Sequence, residues 1–342
     1  EINKPARNEV LVRVKATGLC HSDLHFIQGK YPTPVPAILG HEAAGVVEAV
    51  GEGVDTLKPG DHVVSCLSVF CGHCEYCVGG HLSVCNNTAV KQPPGVAKRL
   101  KWKGQHLNQY LNLSSFAEQM LVHQNALVKV RDDMPLDLAA LLGCGVLTGY
   151  GSVTRTAQIP AGSTVAVIGC GGVGLSAIHA AHLAGASRII AIDIDPAKLE
   201  MAKLFGATDG VDGADPEMVK KVIAMTKGGV DFAFECIGLK KCTEDSFAML
   251  RPRGTTTIVG MIPLGTKVEF HGFDFLHERR VQGSMMGSNN FTVDIPRLVE
   301  FHMQGRMQLE KLVSKRIHLE DVNEGFAAME RGCIARGVIV FD

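Results

Sequence analysis

Four cysteines, Cys71, Cys74, Cys77 and Cys85, stand in the spacing C-x2-C-x2-C-x7-C within a glycine-rich segment. Thiolates this close along the chain can wrap one tetrahedral ion, and a shell of four leaves no open position, so a zinc held there is structural. Thiolate quartets also hold iron–sulfur clusters, but this spacing does not match the ferredoxin runs and no redox partner is evident. A second set is scattered: Cys20, His41 beside Glu42, and Cys144 between two glycines. Singly, each reads as a buried small residue or a satisfied polar group. Taken with the cysteine lobe and the glycine motif below, they read as three ligands around a vacant fourth position, the arrangement of a catalytic zinc.

The glycine motif is Gly169-Cys170-Gly171-Gly172-Val173-Gly174, which satisfies G-x-G-x-x-G directly after an apolar run. Its first glycine permits a tight turn, the second lets backbone approach a pyrophosphate, and the third lets helix pack closely on strand. The helix N-terminus then offers free N–H groups to the phosphates. Asp193 follows Gly174 by 19 positions, close to where an acid that binds a ribose 2′-hydroxyl is expected. A carboxylate there repels a 2′-phosphate, so NAD is favoured over NADP. Lys198 is placed to approach the same ribose.

The elements that must carry these residues change texture along the chain. Up to about residue 145 the sequence is rich in valine, glycine and proline, with strand-like runs at Glu9–Ala16 and Ala44–Val50 and turns at Gly51–Gly53 and Lys58–Asp61, which predicts an irregular β-rich barrel. After Pro160, apolar runs at Thr164–Ile168, Arg188–Ile192, Val230–Glu235 and Thr255–Val259 alternate with helical stretches such as Leu175–Ala184 and Pro196–Phe205. That alternation predicts a doubly wound parallel sheet, an α/β fold. At 342 residues two domains are expected; 46% hydrophobic residues and a mean hydropathy of +0.14 exclude a disordered chain.

A net charge of −1 gives no basic field for nucleic acid or anionic membrane. The stretch from Thr156 to Ser187 lacks Asp, Glu, Lys and Arg, yet its glycines and Pro160 make it a buried strand, turn and helix rather than a membrane span. The opening Glu1–Val14 is charged and mixed, unlike a signal peptide, and the missing initiator Met reads as a start slightly inside the gene product. The cysteines number 11, odd and clustered, which points to metal binding in a reducing compartment, hence a cytoplasmic protein, rather than to a disulfide framework.

Several stretches then coincide in order across almost the whole chain: Cys20-His21-Ser22-Asp23, Gly40–Val47, Gly51-Glu52-Gly53-Val54, the cysteine lobe, Gly143-Cys144-Gly145, Thr148–Gly151 and Ile168–Ser176. In these the chain resembles the zinc-dependent alcohol dehydrogenases of the medium-chain dehydrogenase/reductase family. The resemblance implies a GroES-like catalytic domain, residues 1–145 and 286–342, around a Rossmann domain, 146–285, with two zinc ions and NAD as cofactors. In that family zinc polarises the substrate oxygen and hydride passes to the nicotinamide.

Carried over by position, Cys20, His41 and Cys144 hold the catalytic zinc and the four lobe cysteines the structural one. Glu42 lies behind the catalytic metal and Asp23 orients the His41 imidazole. Ser22 takes the alcohol proton and passes it through the cofactor ribose to His25. His21 and Arg336 contact the pyrophosphate, Thr148 and Val173 press on the nicotinamide, and Val259, Ser284 and Met286 grip its carboxamide. Leu67, Tyr110, Leu111, Met261 and Met285 line an apolar substrate channel, which implies medium-chain or aromatic alcohols and aldehydes.

Two other readings are open. A thiol-dependent formaldehyde dehydrogenase is one: Lys30, Pro32 and Ala89 stand where the glutathione branch needs acids and an arginine, but Lys91, Lys98, Arg99, Lys101 and Lys103 are available to another thiol carrier. The other is a zinc-stabilised dinucleotide-binding protein without activity. The resemblance also implies a homodimer or homotetramer, with Thr255–Val259 and Arg280–Ser284 as candidate edge strands. Cys66, Cys170, Cys236, Cys242 and Cys333 are left as free thiols.

Overall fold

The computed structural model describes residues 1–91, 99–331 and 336–342, and divides the chain into Glu1–Cys144 with Asn289–Asp342, and Gly145–Ser288. Lys98 and Cys333 lie outside the described residues.

The first unit is built on a seven-stranded sheet around β1 (Glu9–Gly18). Val10, Val12 and Val14 alternate inward along β1 and are fully buried, the period-two pattern of a strand with one apolar face. β1 pairs with β2 (Ala43–Val50) over its whole length, with register shifts between Leu11 and Val12 and between Val14 and Ala16. Those bulges bend the strand, so its first half also pairs with Gln119–His123 and its second half with Gly337–Val340. The sheet continues through β3 (His62–Ser65) to Leu127–Lys129. A short helix, α1 (His21–Ile27), leaves the end of β1. Thus Cys20 sits where a strand becomes a helix, and His41 just before β2 begins.

The second unit holds a six-stranded parallel sheet: β4 (Thr164–Ile168), β5 (Arg188–Asp193), β6 (Asp209–Asp212), β7 (Val230–Glu235), β8 (Leu250–Ile258) and β9 (Arg280–Gly283). Their spatial order is β6-β5-β4-β7-β8-β9, so the chain reverses direction across the sheet between β4 and β7. Val165–Val167, Ile190–Ile192 and Ala233–Phe234 are buried, as expected where helices cover both faces of a parallel sheet. The uncharged stretch through residue 187 contains β4 and the helix α2 (Gly172–Leu183), and its lack of charge follows from that burial. α3 (Pro196–Leu204) starts with proline in its first turn, and Asp195 caps it by accepting from the Ala197 N–H at 2.9 Å.

One expectation needs correcting. Thr255–Val259 is not an edge: β8 is paired on both sides, with β7 and with β9. Among the described residues the sheet ends on β6 at one side and β9 at the other, so of the two candidates Arg280–Gly283 is the edge strand. Among the described residues no single helix is long and apolar enough to cross a membrane.

Candidate active site

The bend at the end of β1 and the turn into β2 bring Cys20, His41 and Glu42 together, and the approach to Cys144 completes the group. Their ligand atoms lie within 4.8 Å of one another and all four residues are buried. His41 is oriented from behind: its Nδ1 lies 3.1 Å from Asp23 Oδ1, which also accepts the Gly40 N–H at 3.1 Å. An oxygen already accepting from a backbone amide accepts from the imidazole too, so Nδ1 carries the proton and Nε2 is left with its lone pair. Nε2 is buried and has no hydrogen-bond partner among the described residues. A buried acceptor without a partner costs free energy unless something occupies the space in front of it, and a metal ion meets that need. The Cys20 thiol is held well below its usual range, chiefly by the hydrogen bond from Cys144, which is itself held up by the same contact. Two sulfurs sharing one proton in a buried site suit replacement of that proton by zinc.

Glu42 is wholly buried, and burial pushes its carboxyl up to about 8. Its Oε1 accepts from Arg336 at 2.9 Å while Oε2 is unpartnered. Arg336 packs against this acid. Its guanidinium is buried, bonded to Glu42 and to the Leu19 carbonyl at 3.2 Å, because a buried carboxylate needs a counter-charge.

Ser22 and His25 occupy α1 three residues apart and so share a helix face. His25 Nδ1 is buried without a partner, and burial followed by the charge of Lys30 lowers its pKa. His21 in the same helix is exposed. Tyr110 packs edge-on against the His41 ring at 5.8 Å and against Phe26 at 4.9 Å, and its buried hydroxyl has no partner. Leu67 and Leu111 in this unit are half-buried; Met261 and Met285 belong to the other.

The lobe cysteines converge separately. Sulfur separations are 3.5 Å for Cys74–Cys77, 3.8 Å for Cys74–Cys85 and 3.9 Å for Cys71–Cys77. A tetrahedral zinc with bonds of about 2.3 Å requires sulfurs about 3.8 Å apart, so the quartet is spaced for that ion.

In the second unit the glycine motif forms the turn from β4 into α2. A Cβ on Gly174 would lie 1.7 Å from the Gly169 carbonyl oxygen, so only glycine permits the helix to pack there. Asp193 ends β5, and its carboxylate accepts from the Cys170 N–H at 2.7 Å and the Asp195 N–H at 3.0 Å, which fixes the motif against the strand end. Gly171, Gly172 and Val173 are part-exposed in the turn, and Lys198 lies in the first turn of α3. Thr148 and Met286 meet, Oγ1 to Sδ at 3.5 Å, and the Ser284 hydroxyl is paired with Thr156 at 2.7 Å. Val259 donates its N–H to the Glu235 carbonyl at 2.9 Å. The sequence reading passed over Glu235, although an acid closing the apolar run Val230–Glu235 was the available signal.

Comparison with known proteins agrees with this layout. Residues 6–132 match the alcohol dehydrogenase GroES-like domain and residues 172–302 the zinc-binding dehydrogenase domain. The chain is 37% identical to an alcohol dehydrogenase 1 of Trifolium repens over 99% of its length and 92% of the relative's. It is 35% identical to an S-(hydroxymethyl)glutathione dehydrogenase of Saccharomyces cerevisiae over 100% of its own length and 92% of that protein. Among solved structures, a benzyl alcohol dehydrogenase from Acinetobacter calcoaceticus superposes with a TM-score of 0.93 at 35% identity, covering 100% of this chain and 94% of the other. The cofactors are two zinc ions and NAD, for which the two ligand clusters and the Rossmann sheet supply the sites. With both domains matched and relatives aligned over nearly their whole length, the chain belongs to the zinc-dependent alcohol dehydrogenases of the medium-chain dehydrogenase/reductase family.

Proposed function

We propose that this oxidoreductase interconverts a medium-chain or aromatic alcohol, primary or secondary, with its aldehyde or ketone, using NAD. The observation that carries the reading is the buried cluster of Cys20, His41 and Cys144, in which His41 Nε2 is aimed inward with no protein partner. When bound there, zinc supplies Lewis-acid polarisation of the substrate oxygen, and NAD supplies the hydride acceptor. The chain's own part is positional. Asp23 holds the His41 tautomer, and Arg336 fixes Glu42 beside the ligands. Ser22 takes the proton of the alcohol at its Oγ, and His25, kept neutral by burial and by Lys30, is the base that passes it outward. Thr148, Val173, Val259, Ser284 and Met286 shape the nicotinamide side. Asp193 favours NAD over NADP by repelling a 2′-phosphate.

The likeness to a benzyl alcohol dehydrogenase supports an aromatic substrate. The thiol-carrier reading is supported by the S-(hydroxymethyl)glutathione dehydrogenase relative. Against it, much of the basic run is committed to the fold: Lys91 Nζ bonds the Cys85 carbonyl at 2.9 Å, Arg99 bonds Glu9 and Gln109, and Lys103 lies 4.5 Å over the Trp102 ring. Side chains so engaged are poorly placed to hold an anionic adduct. The open edge at β9 (Arg280–Gly283), with Leu264, Phe273, Leu276 and Val281 exposed, supports pairing with a second copy as a homodimer or larger homo-oligomer.

The test is a panel of ethanol, octanol, benzyl alcohol and a secondary alcohol with NAD and NADP, beside formaldehyde with and without thiols. A higher kcat/KM for benzyl alcohol or octanol than for ethanol is expected. Equal values for the three, or formaldehyde oxidation only with thiol present, would displace the substrate assignment.

A further inference from the structure

Glu235 closes β7 (Val230–Glu235) at the carboxyl end of the parallel sheet, next to β4 at the point where strand order reverses. Its registry partners are Ile168, the residue before the glycine motif, and Ile258, the residue before Val259. The side chain is wholly buried. Its Oε1 accepts the N–H groups of Ile237 at 2.9 Å and Gly238 at 2.7 Å, while its backbone carbonyl accepts those of Val259 and Gly260, each at 2.9 Å. One residue thus ties the turn after β7 to the turn after β8.

The two turns touch backbone to backbone. A Cβ on Gly260 would lie 2.1 Å from the Gly238 nitrogen and 2.6 Å from Glu235 Oε2, and one on Gly238, whose φ is +92°, would lie 2.3 Å from the Met261 carbonyl oxygen. The tie reaches the glycine motif as well: Cys236 N–H bonds the Ile168 carbonyl at 2.9 Å, and Ile237 Cγ1 lies 2.5 Å from where a Gly169 Cβ would stand. Open parallel sheets bind their ligand outside the strand ends at the reversal point. A buried carboxyl that fixes two turns there, with Oε2 left unpartnered, is placed to set the shape of the cofactor's bed rather than to meet a cation. Burial pushes its pKa up, against the pull of the backbone N–H groups around the carboxyl.

We propose that Glu235 is a positioning residue for the dinucleotide, setting cofactor affinity by holding the turns Cys236–Gly238 and Val259–Met261 against the glycine motif. The proposal rests on NAD being the cofactor. The experiment is NADH titration by fluorescence on the full-length, zinc-loaded wild type and the variants E235Q, E235D, E235A and G260A, with thermal unfolding and steady-state kinetics in parallel. Glutamine keeps an acceptor oxygen at the same reach, whereas aspartate keeps the charge but falls one methylene short. Expected are NADH dissociation constants within about threefold of wild type for E235Q, and weakened about tenfold or more for E235D, E235A and G260A. KM for NAD rises in step, with kcat at saturating NAD and KM for the alcohol unchanged. The proposal is overturned if E235D or E235A binds NADH like wild type, if folded E235Q loses as much as E235D, or if kcat and alcohol KM fall together with melting temperature. Should E235D and E235A fail to fold, E235Q and G260A decide: G260A binding NADH normally overturns it. A wild type that binds no NADH fails the cofactor assignment, a separate outcome from these.

Discussion

Replacing Asp23 with alanine tests how the three-ligand site is held. Asp23 and His41 are both 0% exposed, so their contact is not weakened by solvent. The substitution removes one charge-assisted hydrogen bond to the imidazole and one bond from the Gly40 amide, and strands two buried donors. Bonds to a charged group contribute about 1.5–3 kcal/mol, and loss of the partner behind a ligating histidine costs metal affinity about 10–100-fold, or about 1.4–2.7 kcal/mol. Asp23→Asn keeps the acceptor for both donors and loses only the charge, so it should fall between wild type and alanine. The cysteine lobe serves as an internal reference, because Cys71, Cys74, Cys77 and Cys85 make no use of Asp23. Zinc release into graded chelator, counted per chain, should show one ion leaving D23A at about 10–100-fold lower chelator strength than wild type while the other is retained. Equal resistance in D23A and wild type, or simultaneous loss of both ions from a folded protein, would refute the reasoning.

Tyr110→Phe removes a buried hydroxyl that has no partner but keeps the ring against His41 and Phe26, so melting temperature should hold or rise by a few degrees, for a gain of up to about 1–3 kcal/mol; a fall would mean the hydroxyl is bonded. Asp193→Ala should move the ratio of kcat/KM for NADP over NAD upward by about tenfold or more, and it should also weaken NAD because the Cys170 amide loses its acceptor; an unmoved ratio counts against Asp193 as the discriminating residue. Lys30 and burial both lower the His25 pKa, so a positive charge removed in Lys30→Gln lets the imidazole protonate at higher pH. The acidic limb of the kcat profile should then shift upward in K30Q and vanish in His25→Gln; a limb unchanged in H25Q would show that another group carries the proton.

Local signals were legible wherever the chemistry is local. The cysteine quartet spans 15 residues, and its spacing alone brings four thiols round one ion. The glycine motif needs only a strand before it and a helix after it, both of which the hydrophobic periodicity announces. Asp193 follows from the same unit. What periodicity could not give is pairing between distant segments: Thr255–Val259 and Arg280–Ser284 read alike as strands, and only the sheet order shows that one is interior and the other an edge.

The three-ligand site lies at the opposite extreme. Cys20, His41 and Cys144 could be grouped only through the company of the other motifs and the resemblance, since 20 residues lie between Cys20 and His41 and 102 between His41 and Cys144, and no local rule joins them.

 The bulges of β1 and the turn into β2 create that meeting point, and they depend on pairings with strands from both ends of the chain. Arg336 shows the same limit. The fold sets its guanidinium on Glu42, a pairing no local spacing announces, because a carboxylate shut away from water must find its counter-charge wherever the chain can deliver one. Residue types and short spacings therefore determined which ions and cofactor this protein can hold. Tertiary structure alone decided that the ligand atoms of Cys20, His41 and Cys144 converge and that Glu235 joins the turn after β7 to the turn after β8, since each is a contact between segments whose separation in sequence carries no distance information.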